Sequence, residues 1–162
     1  MDFLIFSDSH GRPDAIQTAI DRQLRAPDSI FFLGDGLRDT EALLTGRSHL
    51  FSVRGNCDFV WDPSIPSEQL LPFGEHKILI THGHLFGVKG GLGGLIAHAA
   101  ELGADIVLFG HTHQPLAISL SEDETPLGRP MHLFNPGSIG YDGSFGTLTL
   151  RGQDVLLSHG RI

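Results

Sequence analysis

Short apolar segments alternate with segments of helical periodicity along the first two thirds of the chain. Five segments rich in branched and aromatic residues are bounded by Gly, Asp, Asn or His, which predicts buried strands at 3–6, 30–33, 50–53, 78–80 and 106–109. Between them, apolar residues at helical spacing predict helices at 13–25, 39–45 and 94–102, and the last two are expected to end at Gly46 and Gly103. This alternation predicts an α/β core with parallel strand pairs.

The last third of the chain has strand patterns and no helical one. Strands are predicted at 116–120, 131–134, 145–150 and 155–159, separated by turn-rich segments. We expect these strands to form hairpins that pair into a second sheet, giving a two-sheet sandwich with helices outside. The segment 61–72 contains Pro63, Pro66 and Pro72 and is predicted to be a long irregular loop. The length of 162 residues suits a single domain, 1–162.

Each of the five strands in the first part is followed by a polar cluster. The clusters lie at 8–10, 34–36, 55–58, 81–84 and 110–113. Because ligands of open α/β sheets bind at the carboxyl ends of strands, the clusters are expected to meet at one place. Asp8 and His10 are two residues apart, as are His111 and His113, and in an extended chain such pairs project to the same side.

The side chains in these clusters are carboxylates, imidazoles and one amide, which suit Mn²⁺, Fe, Zn²⁺, Ni²⁺ or Co²⁺ better than Ca²⁺. Each motif alone has an ordinary alternative. Asp8 could cap a helix, Asp35 and Asn56 could belong to simple turns, and His82 could be a hydrogen-bonded histidine at a strand end. Their occurrence at five successive strand ends favours a metal site. Flanking glycines allow tight turns and leave room for an ion: Gly34, Gly36, Gly55, Gly83 and Gly110.

Composition disfavours several classes of protein, namely nucleic-acid-binding, membrane-spanning and disulfide-rich proteins. The chain has 11 Lys and Arg residues against 19 Asp and Glu residues, and this net charge of -8 disfavours a nucleic-acid partner. Bound cations would still let an acidic protein act on an anionic substrate. No apolar run approaches the roughly 20 residues of a membrane span, and no secretory signal is recognised at the start of the sequence. Cys57 is the single cysteine, so we expect no disulfide framework and a cytoplasmic location.

The order of motifs D-x-H, G-D-G, G-N-C-D, T-H-G-H, G-H-T-H and N-P-G-S, from Asp8 to Ser138, resembles the calcineurin-like metallophosphoesterase superfamily, and specifically its small phosphodiesterase branch of the bacterial YfcE type. The resemblance implies a four-layer αββα sandwich and a dinuclear metal centre, with Mn²⁺ as the first choice of metal. It implies a first metal held by Asp8, His10 and His113, a second held by Asn56, His82 and His111, and a bridge formed by Asp35. The expected reaction is hydrolysis of a phosphate ester by in-line attack of a metal-bridging hydroxide.

The resemblance also directs attention to the general acid. Many members carry a histidine where this chain has Cys57, so the proton donor is unassigned, and His10 and His84 are the candidates. We expect Asp35, Asn56, His10 and His84 to take part in catalysis. Cys57 is expected to be a small buried residue rather than a nucleophile. The remaining histidines are predicted to be surface or packing residues: His49, His76, His98, His132 and His159. The segment 135–138 is either a tight turn near the site or a purely structural loop.

The net charge expected for the metal centre indicates which class of phosphate ester it binds. Two divalent ions outweigh two carboxylates and a hydroxide by a small margin, which matches a monoanionic phosphodiester; a monoester dianion would need more cations, of which Arg12, Arg54 and Lys89 are nearest in sequence. Two alternatives stay open, a metal-dependent nucleotide phosphatase or pyrophosphatase and a non-catalytic scaffold of the Vps29 kind. The expected partner is a small phosphate ester, without membrane or nucleic acid, and the resemblance suggests a homo-oligomer.

Overall fold

The structure, a computed structural model, describes residues 1–44, 49–59 and 64–162, without the side chains of 42–44. Thirteen helices and strands are described, together with a 3-10 turn at His84–Phe86. In chain order they are β1 (Asp2–Phe6), α1 (Pro13–Asp21), β2 (Ser29–Phe32), α2 (Leu37–Leu44), β3 (Leu50–Ser52), β4 (Glu68–Phe73), β5 (His76–Thr81), α3 (Gly93–Leu102), β6 (Ile106–Leu108), β7 (Leu116–Leu120), β8 (Met131–Asn135), β9 (Ser144–Arg151) and β10 (Asp154–Arg161).

The strands form two mixed sheets of five strands each. The first sheet has the order β10-β9-β1-β2-β3 and the second β4-β5-β6-β8-β7. The predicted parallel pairs are confirmed, since β1 pairs in parallel with β2, β2 with β3, and β5 with β6. The expectation that the last third would build a sheet of its own is wrong. The β9–β10 hairpin extends the first sheet through β1, whereas β7 and β8 extend the second through β6.

Alternation along each strand divides the apolar residues between the middle and the outside of the sandwich. In β1, Phe3 and Ile5 enter the core between the sheets, whereas Leu4 and Phe6 face the opposite way and pack with Ile16 of α1. On the outer face of the second sheet, Leu95 and Ala99 of α3 pack with Leu79, Val107 and Leu133. The result is the expected four-layer αββα sandwich of two mixed sheets flanked by helices.

Three predicted boundaries differ from the structure. Helix α1 ends at Asp21 rather than at 25, and Leu24, predicted on its apolar face, is fully exposed. The chain must turn there to begin β2, and Pro27 disfavours helix at the residue before it. The segment 61–72 is not irregular throughout, because 68–73 forms β4. As an edge strand, β4 tolerates Pro72, which has no N–H to donate. Residues 61–63 and the predicted helix end at Gly46 lie outside the described residues.

No helix among the described residues combines the length and the apolar character needed to cross a membrane.

Candidate metal centre

All seven sequence-predicted donor residues lie just beyond the carboxyl ends of five strands. Asp8 and His10 follow β1, Asp35 follows β2, and Asn56 follows β3 in the first sheet, whereas His82 follows β5, and His111 and His113 follow β6 in the second. Donors that follow strands of different sheets lie close together, since His82 Nε2 is 3.3 Å from Asp35 Oδ2 and His113 Nε2 is 3.0 Å from Asp8 Oδ1. The predicted convergence of the clusters is therefore what the structure shows.

Backbone conformation, rather than extended chain, brings the paired donors together. In the described part of the chain, the non-glycine residues with a left-handed backbone are Asp8, His10, Asp35, His111 and His113, with φ between 45° and 67°. The expectation that D-x-H and H-x-H converge because extended residues two apart share a side is thus wrong. Left-handed conformations of non-glycine residues are uncommon and cluster at functional sites, where the surrounding structure holds them in place. At Asp8, backbone hydrogen bonds from Asp8 N to Gly34 O at 2.9 Å and from Gly140 N to Asp8 O at 3.2 Å provide this support.

The glycines of the motifs allow the carboxylates to reach their positions. A β-carbon added to Gly55 would lie 2.1 Å from Asp35 Oδ1, and one added to Gly110 would lie 2.8 Å from Asp8 Oδ2. Both distances are too short for any real contact. At these two positions glycine therefore leaves space for a carboxylate rather than for the ion itself.

The first group of donors consists of Asp8, His10 and His113. His113 Nε2 lies 3.0 Å from Asp8 Oδ1, His10 Nε2 lies 3.6 Å from the same oxygen, and the two imidazole nitrogens are 3.3 Å apart. The three ligand atoms lie within 4.8 Å of one another. Such a spacing suits one shared cation.

The second group consists of Asp35, His82 and His111, whose ligand atoms also lie within 4.8 Å of one another. Asn56 adjoins this group through its Oδ1, which is 3.1 Å from His82 Nε2. Asp35 Oδ2 is 3.3 Å from His82 Nε2 and 4.0 Å from His10 Nε2, so it faces donors of both groups.

Two observations test whether these residues fit a metal ion. Asp8 Oδ1 is buried and accepts no well-aligned hydrogen bond from any residue that the structure describes, although the Nε2 atoms of His10, His82 and His113 lie within 3.9 Å. A buried carboxylate oxygen without a partner is costly, and a cation supplies the missing one. His82 Nδ1 lies 2.7 Å from Leu33 O and donates to it, which leaves Nε2, the nitrogen that faces Asp35 and Asn56, as the one that could bind a metal ion. The donor set therefore fits divalent metal ions.

The electrostatics of the centre also favour positive charge. Burial opposes ionisation of Asp35, but the hydrogen bond and charge of His82 outweigh it and hold the pKa of this carboxyl well below its ordinary range. Burial likewise disfavours the charged form of His82, yet Asp35 and Asp8 raise its pKa. The pKa of His111 is lowered by burial and by the nearby charges of His82 and Lys89. The buried carboxylates thus create a field in which a cation is stabilised.

His84, the other candidate proton donor, lies beside the second group. Its ring centroid is 5.4 Å from that of His82 and 6.1 Å from that of His111. Burial and the charge of His82 lower its pKa, and its Nδ1 is buried without a partner among the described residues.

Asp58 and Asp39 hold the loops of the centre, and sequence reasoning assigned neither of them a role. Asp58 accepts four backbone hydrogen bonds of 2.7–3.0 Å, from Asp35, Gly36, Leu37 and Gly55. Asp39 Oδ2 accepts from Ser9 Oγ at 2.6 Å and from Gly11 N at 2.8 Å. The G-N-C-D motif contained Asp58, but its contacts depend on the approach of β2 to β3.

The segment 135–138 supports the loops from behind. Asn135 Nδ2 donates to Gly110 O at 2.8 Å, and Ser138 Oγ donates to Asp8 O at 2.8 Å. The segment therefore lies near the centre and also has a structural role. The two alternatives, a turn near the site and a structural loop, both describe it in part. It also places the exposed Tyr141, whose ring lies 5.1 Å from that of His10 and 5.0 Å from that of His113.

Cys57 is exposed, so the expectation that it is buried is wrong. It lies on the open side of the loop after β3, where its backbone amide donates to Asp35 Oδ1 at 2.7 Å. Residual burial and the Asp35 carboxylate raise the pKa of the thiol, which disfavours the thiolate needed for a nucleophile.

The other histidines and cations that the sequence analysis named lie outside the two donor groups. The histidines predicted as surface or packing residues lie outside the centre: His76 binds Asp105, His98 binds Glu68, His132 binds Ser119, His159 binds the carbonyl of Asn135, and His49 is exposed. Among the cations named from sequence, Arg12 pairs with Asp14 at 2.8 Å, whereas the charges of Arg54 and Lys89 act on His84 and His111. Arg38, which sequence reasoning missed, lines a cleft beside the centre.

Comparisons with known proteins agree with this geometry. The model of the calcineurin-like phosphoesterase superfamily domain matches residues 1–151. The chain is 40% identical over 139 residues to a probable metallophosphoesterase, YsnB, of Bacillus subtilis, covering 86% of this chain and 75% of the relative. It is 33% identical over 119 residues to the phosphodiesterase YfcE of Escherichia coli K12, covering 66% of this chain and 54% of that protein.

Solved structures share the fold. A predicted phosphoesterase of Streptococcus pneumoniae TIGR4 superposes with a TM-score of 0.80 at 28% identity, covering 99% of this chain and 88% of that one. Vps29 of Entamoeba histolytica, solved with Zn²⁺, has a TM-score of 0.76 at 20% identity over 100% of this chain and 98% of that one, a likeness of fold alone. With the family model covering nearly the whole chain and the donor residues at the ends of five strands, the chain belongs to the calcineurin-like phosphoesterase superfamily, whose members are metallophosphoesterases that use divalent metal ions.

Proposed function

We propose that this protein is a metal-dependent phosphodiesterase that binds two divalent ions, with Mn²⁺ as the preferred metal. Asp8, His10 and His113 hold the first ion, Asn56, His82 and His111 hold the second, and Asp35 bridges them. The observation that carries the proposal is the position of Asp35 Oδ2, 3.3 Å from His82 Nε2 and 4.0 Å from His10 Nε2, between the two donor groups.

Bound divalent ions supply Lewis acidity, which lowers the pKa of a coordinated water and offsets charge on the phosphate oxygens. The chain's own residues position this chemistry. The hydrogen bond from His82 to Leu33 O orients the imidazole, and the amide of Cys57 holds one oxygen of Asp35 while the other faces both groups. In the reaction a water molecule gives up a proton to the solvent and its oxygen bonds to phosphorus, while the P–O bond to the leaving group breaks and the leaving oxygen takes a proton. His84 is the preferred donor of that proton, because the imidazole of His10, the other candidate, is assigned to the first ion.

A diester is the preferred substrate because the centre has only two carboxylates among its seven donors. With two divalent ions, it has a modest positive charge, which matches one negative charge better than two. The name of the Escherichia coli relative, a phosphodiesterase, agrees with this choice. We propose further that residues 1–162 act as one domain on a small phosphate ester, and that the protein forms a homo-oligomer.

Two other functions are weighed against the diesterase. A non-catalytic scaffold of the Vps29 kind agrees with the shared fold, but it requires neither all seven donors nor a buried carboxylate oxygen of Asp8 that has three histidine nitrogens within 3.9 Å and no well-aligned hydrogen bond. A metal-dependent nucleotide phosphatase or pyrophosphatase would use the same donors and differs only in the charge of its substrate.

The proposal is tested by stripping the protein of metal with a chelator and adding back Mn²⁺, Fe²⁺, Zn²⁺, Ni²⁺ or Co²⁺ separately. Bis(4-nitrophenyl) phosphate and 4-nitrophenyl phosphate then serve as diester and monoester. We expect turnover only with metal, fastest with Mn²⁺ and faster for the diester. A monoester cleaved much faster than any diester would overturn the diester preference, and no metal-dependent turnover with any ion would favour the scaffold.

A further inference from the structure

A cleft of about 270 Å³ opens beside the metal centre, between the loops that follow β1, β2 and β3. Its inner end includes two of the proposed metal ligands, His10 and Asp35. Its lining also includes residues to which the proposed reaction gives no role, among them Arg38 and Phe59. A phosphate at the metal centre would therefore lie next to this cleft.

The acidic residues of the cleft are occupied by the fold. Asp58 accepts four backbone hydrogen bonds, and Asp39 accepts hydrogen bonds from Ser9 and Gly11. Arg38 differs from them, because it is exposed and forms no ion pair with any residue in the described ranges. It is thus available to an anionic group of a ligand.

Phe59 gives the cleft an apolar wall. Its side chain is 83% exposed, and it makes no aromatic pair within the part of the chain that the structure describes. An isolated exposed phenylalanine is unremarkable by itself. Here it adjoins a cation and a catalytic centre, and an aromatic face in that position stacks well on a planar ring of a ligand.

The volume of the cleft limits the size of the chemical group that it can hold. Pockets that enclose a whole small ligand occupy about 300–1,000 Å³. The volume of 270 Å³ falls just below that range, which suits one substituent of a phosphate ester rather than an entire ligand or a polymer.

We propose that this cleft is the subsite for one ester substituent of the substrate, and that this substituent combines an aromatic ring, stacked on Phe59, with an anionic group bound by Arg38, as in a nucleotide. The inference rests on the proposed function, because the phosphate at the metal centre anchors the substituent. It goes further by naming the class of substrate and two residues that select it.

Three ligands with a common phosphate group test the subsite. Methyl phosphate lacks both features, thymidine 5′-phosphate adds the ring, and thymidine 3′,5′-bisphosphate adds the ring and a second anion. Their dissociation constants are measured by calorimetry on the manganese-loaded protein. We expect affinity to increase in that order, by about fivefold for the ring, the lower value for stacking on an aromatic residue, and by at most about fivefold for the second anion, the upper value for an exposed ion pair.

Single-residue variants show which side chain is responsible for each increase in affinity. Phe59→Ala is expected to remove the gain from methyl phosphate to thymidine 5′-phosphate, and Phe59→Tyr to retain it. Arg38→Gln is expected to remove only the gain from the second anion. Leu24→Ala and Arg25→Gln serve as matched controls, since both residues are exposed and lie outside the cleft, and neither should change any of the three constants.

The outcomes separate this inference from the proposed function. Equal affinities for the three ligands, or gains that survive Phe59→Ala and Arg38→Gln, would overturn the subsite, and metal-dependent cleavage of bis(4-nitrophenyl) phosphate would still support the diesterase. Binding of none of the ligands would also overturn it. Stepwise binding that both variants abolish, with no turnover of any diester, would support the subsite and overturn the proposed reaction.

Discussion

The carboxylate of Asp58 accepts a hydrogen bond of 2.7 Å from the backbone amide of Asp35, which ties the loop after β3 to the loop after β2. The same carboxylate accepts from the amides of Gly36, Leu37 and Gly55. One side chain thus satisfies four backbone donors in a segment that is largely buried. The position of Asp35 depends on this arrangement as much as on its own strand.

Replacing Asp58 by alanine is expected to lower the free energy of unfolding by about 3 kcal/mol, because buried amides left without acceptors cost about 1–3 kcal/mol each and their effects do not add fully. Asp58→Asn keeps one acceptor oxygen and should cost less. Urea denaturation in the presence of a chelator measures the change without a contribution from metal. Asp28→Ala is the control, since Asp28 accepts one amide at an exposed position. Equal losses for Asp58→Ala and Asp28→Ala would contradict the prediction.

Gly55→Ala should disrupt the centre by a purely steric effect. The added methyl group would lie 2.1 Å from Asp35 Oδ1 and 2.6 Å from Asp35 N, so the Asp35 carboxylate must move. We expect activity to fall by at least about 100-fold, the scale on which a 1 Å misplacement acts. Gly93→Ala provides the matched control, because nothing lies within 4 Å of its added methyl group and Gly93 begins α3. If both variants kept wild-type activity, the close approach of Gly55 to Asp35 would not matter for function.

Asp35→Asn is expected to release at least one of the two proposed metal ions, because one neutral amide oxygen replaces a carboxylate that faces both donor groups. Metal content per chain, measured by mass spectrometry after gel filtration, checks this. Asp14→Asn, at an exposed position outside the centre, should leave the metal content unchanged. Retention of both metals together with full activity would refute the bridging role of Asp35.

Tyr141 lies about 5 Å from both His10 and His113, ring centre to ring centre, so its ring packs against these two imidazoles. Tyr141→Ala should weaken binding of the first metal by about tenfold, the lower range for loss of a group that orients a ligand. Tyr141→Phe keeps the ring and should bind metal as the wild type does. Competition titration with a fluorescent chelator measures the affinity. If Tyr141→Phe lost as much affinity as Tyr141→Ala, the hydroxyl group rather than the ring would be responsible.

Stability should decrease as the pH falls below about 6.5, in part because of His132, whose pKa is lowered by burial. Asp105 opposes this shift and His76 adds to it. Since the folded-state pKa is below the unfolded one, the unfolded chain binds more protons in this range, and the free energy of unfolding rises with pH. His132→Gln should reduce that slope. Urea denaturation at pH 5.5 and 7.5 with a chelator present compares the two proteins, and identical slopes would contradict the role of His132.

The sequence by itself determined where five of the six described strands of the first part lie and which residues follow them; β4 was missed. Periodicity and turn residues act over a few positions, so the segments at 3–6, 30–33 and 106–109 were recognised without knowledge of their partners. The seven donors could be named for the same reason, because each lies in the short segment that follows a strand. Gly103, predicted to end a helix, has the left-handed conformation that ends α3.

Only the tertiary structure decided how those parts combine. Whether β9 joins the first sheet or the second depends on hydrogen bonds between Asp2–Ile5 and Gly146–Thr149, more than 140 residues away in sequence, and no local pattern encodes that choice. The proline-rich segment around Pro72 becomes a strand because β5 is beside it. Three further features also depend on tertiary contacts: the left-handed backbone of Asp8 and His111, the role of Asp58 and the cleft at Phe59. Each depends on the approach of chain segments that are distant in sequence, and their packing holds conformations that neither segment would adopt alone.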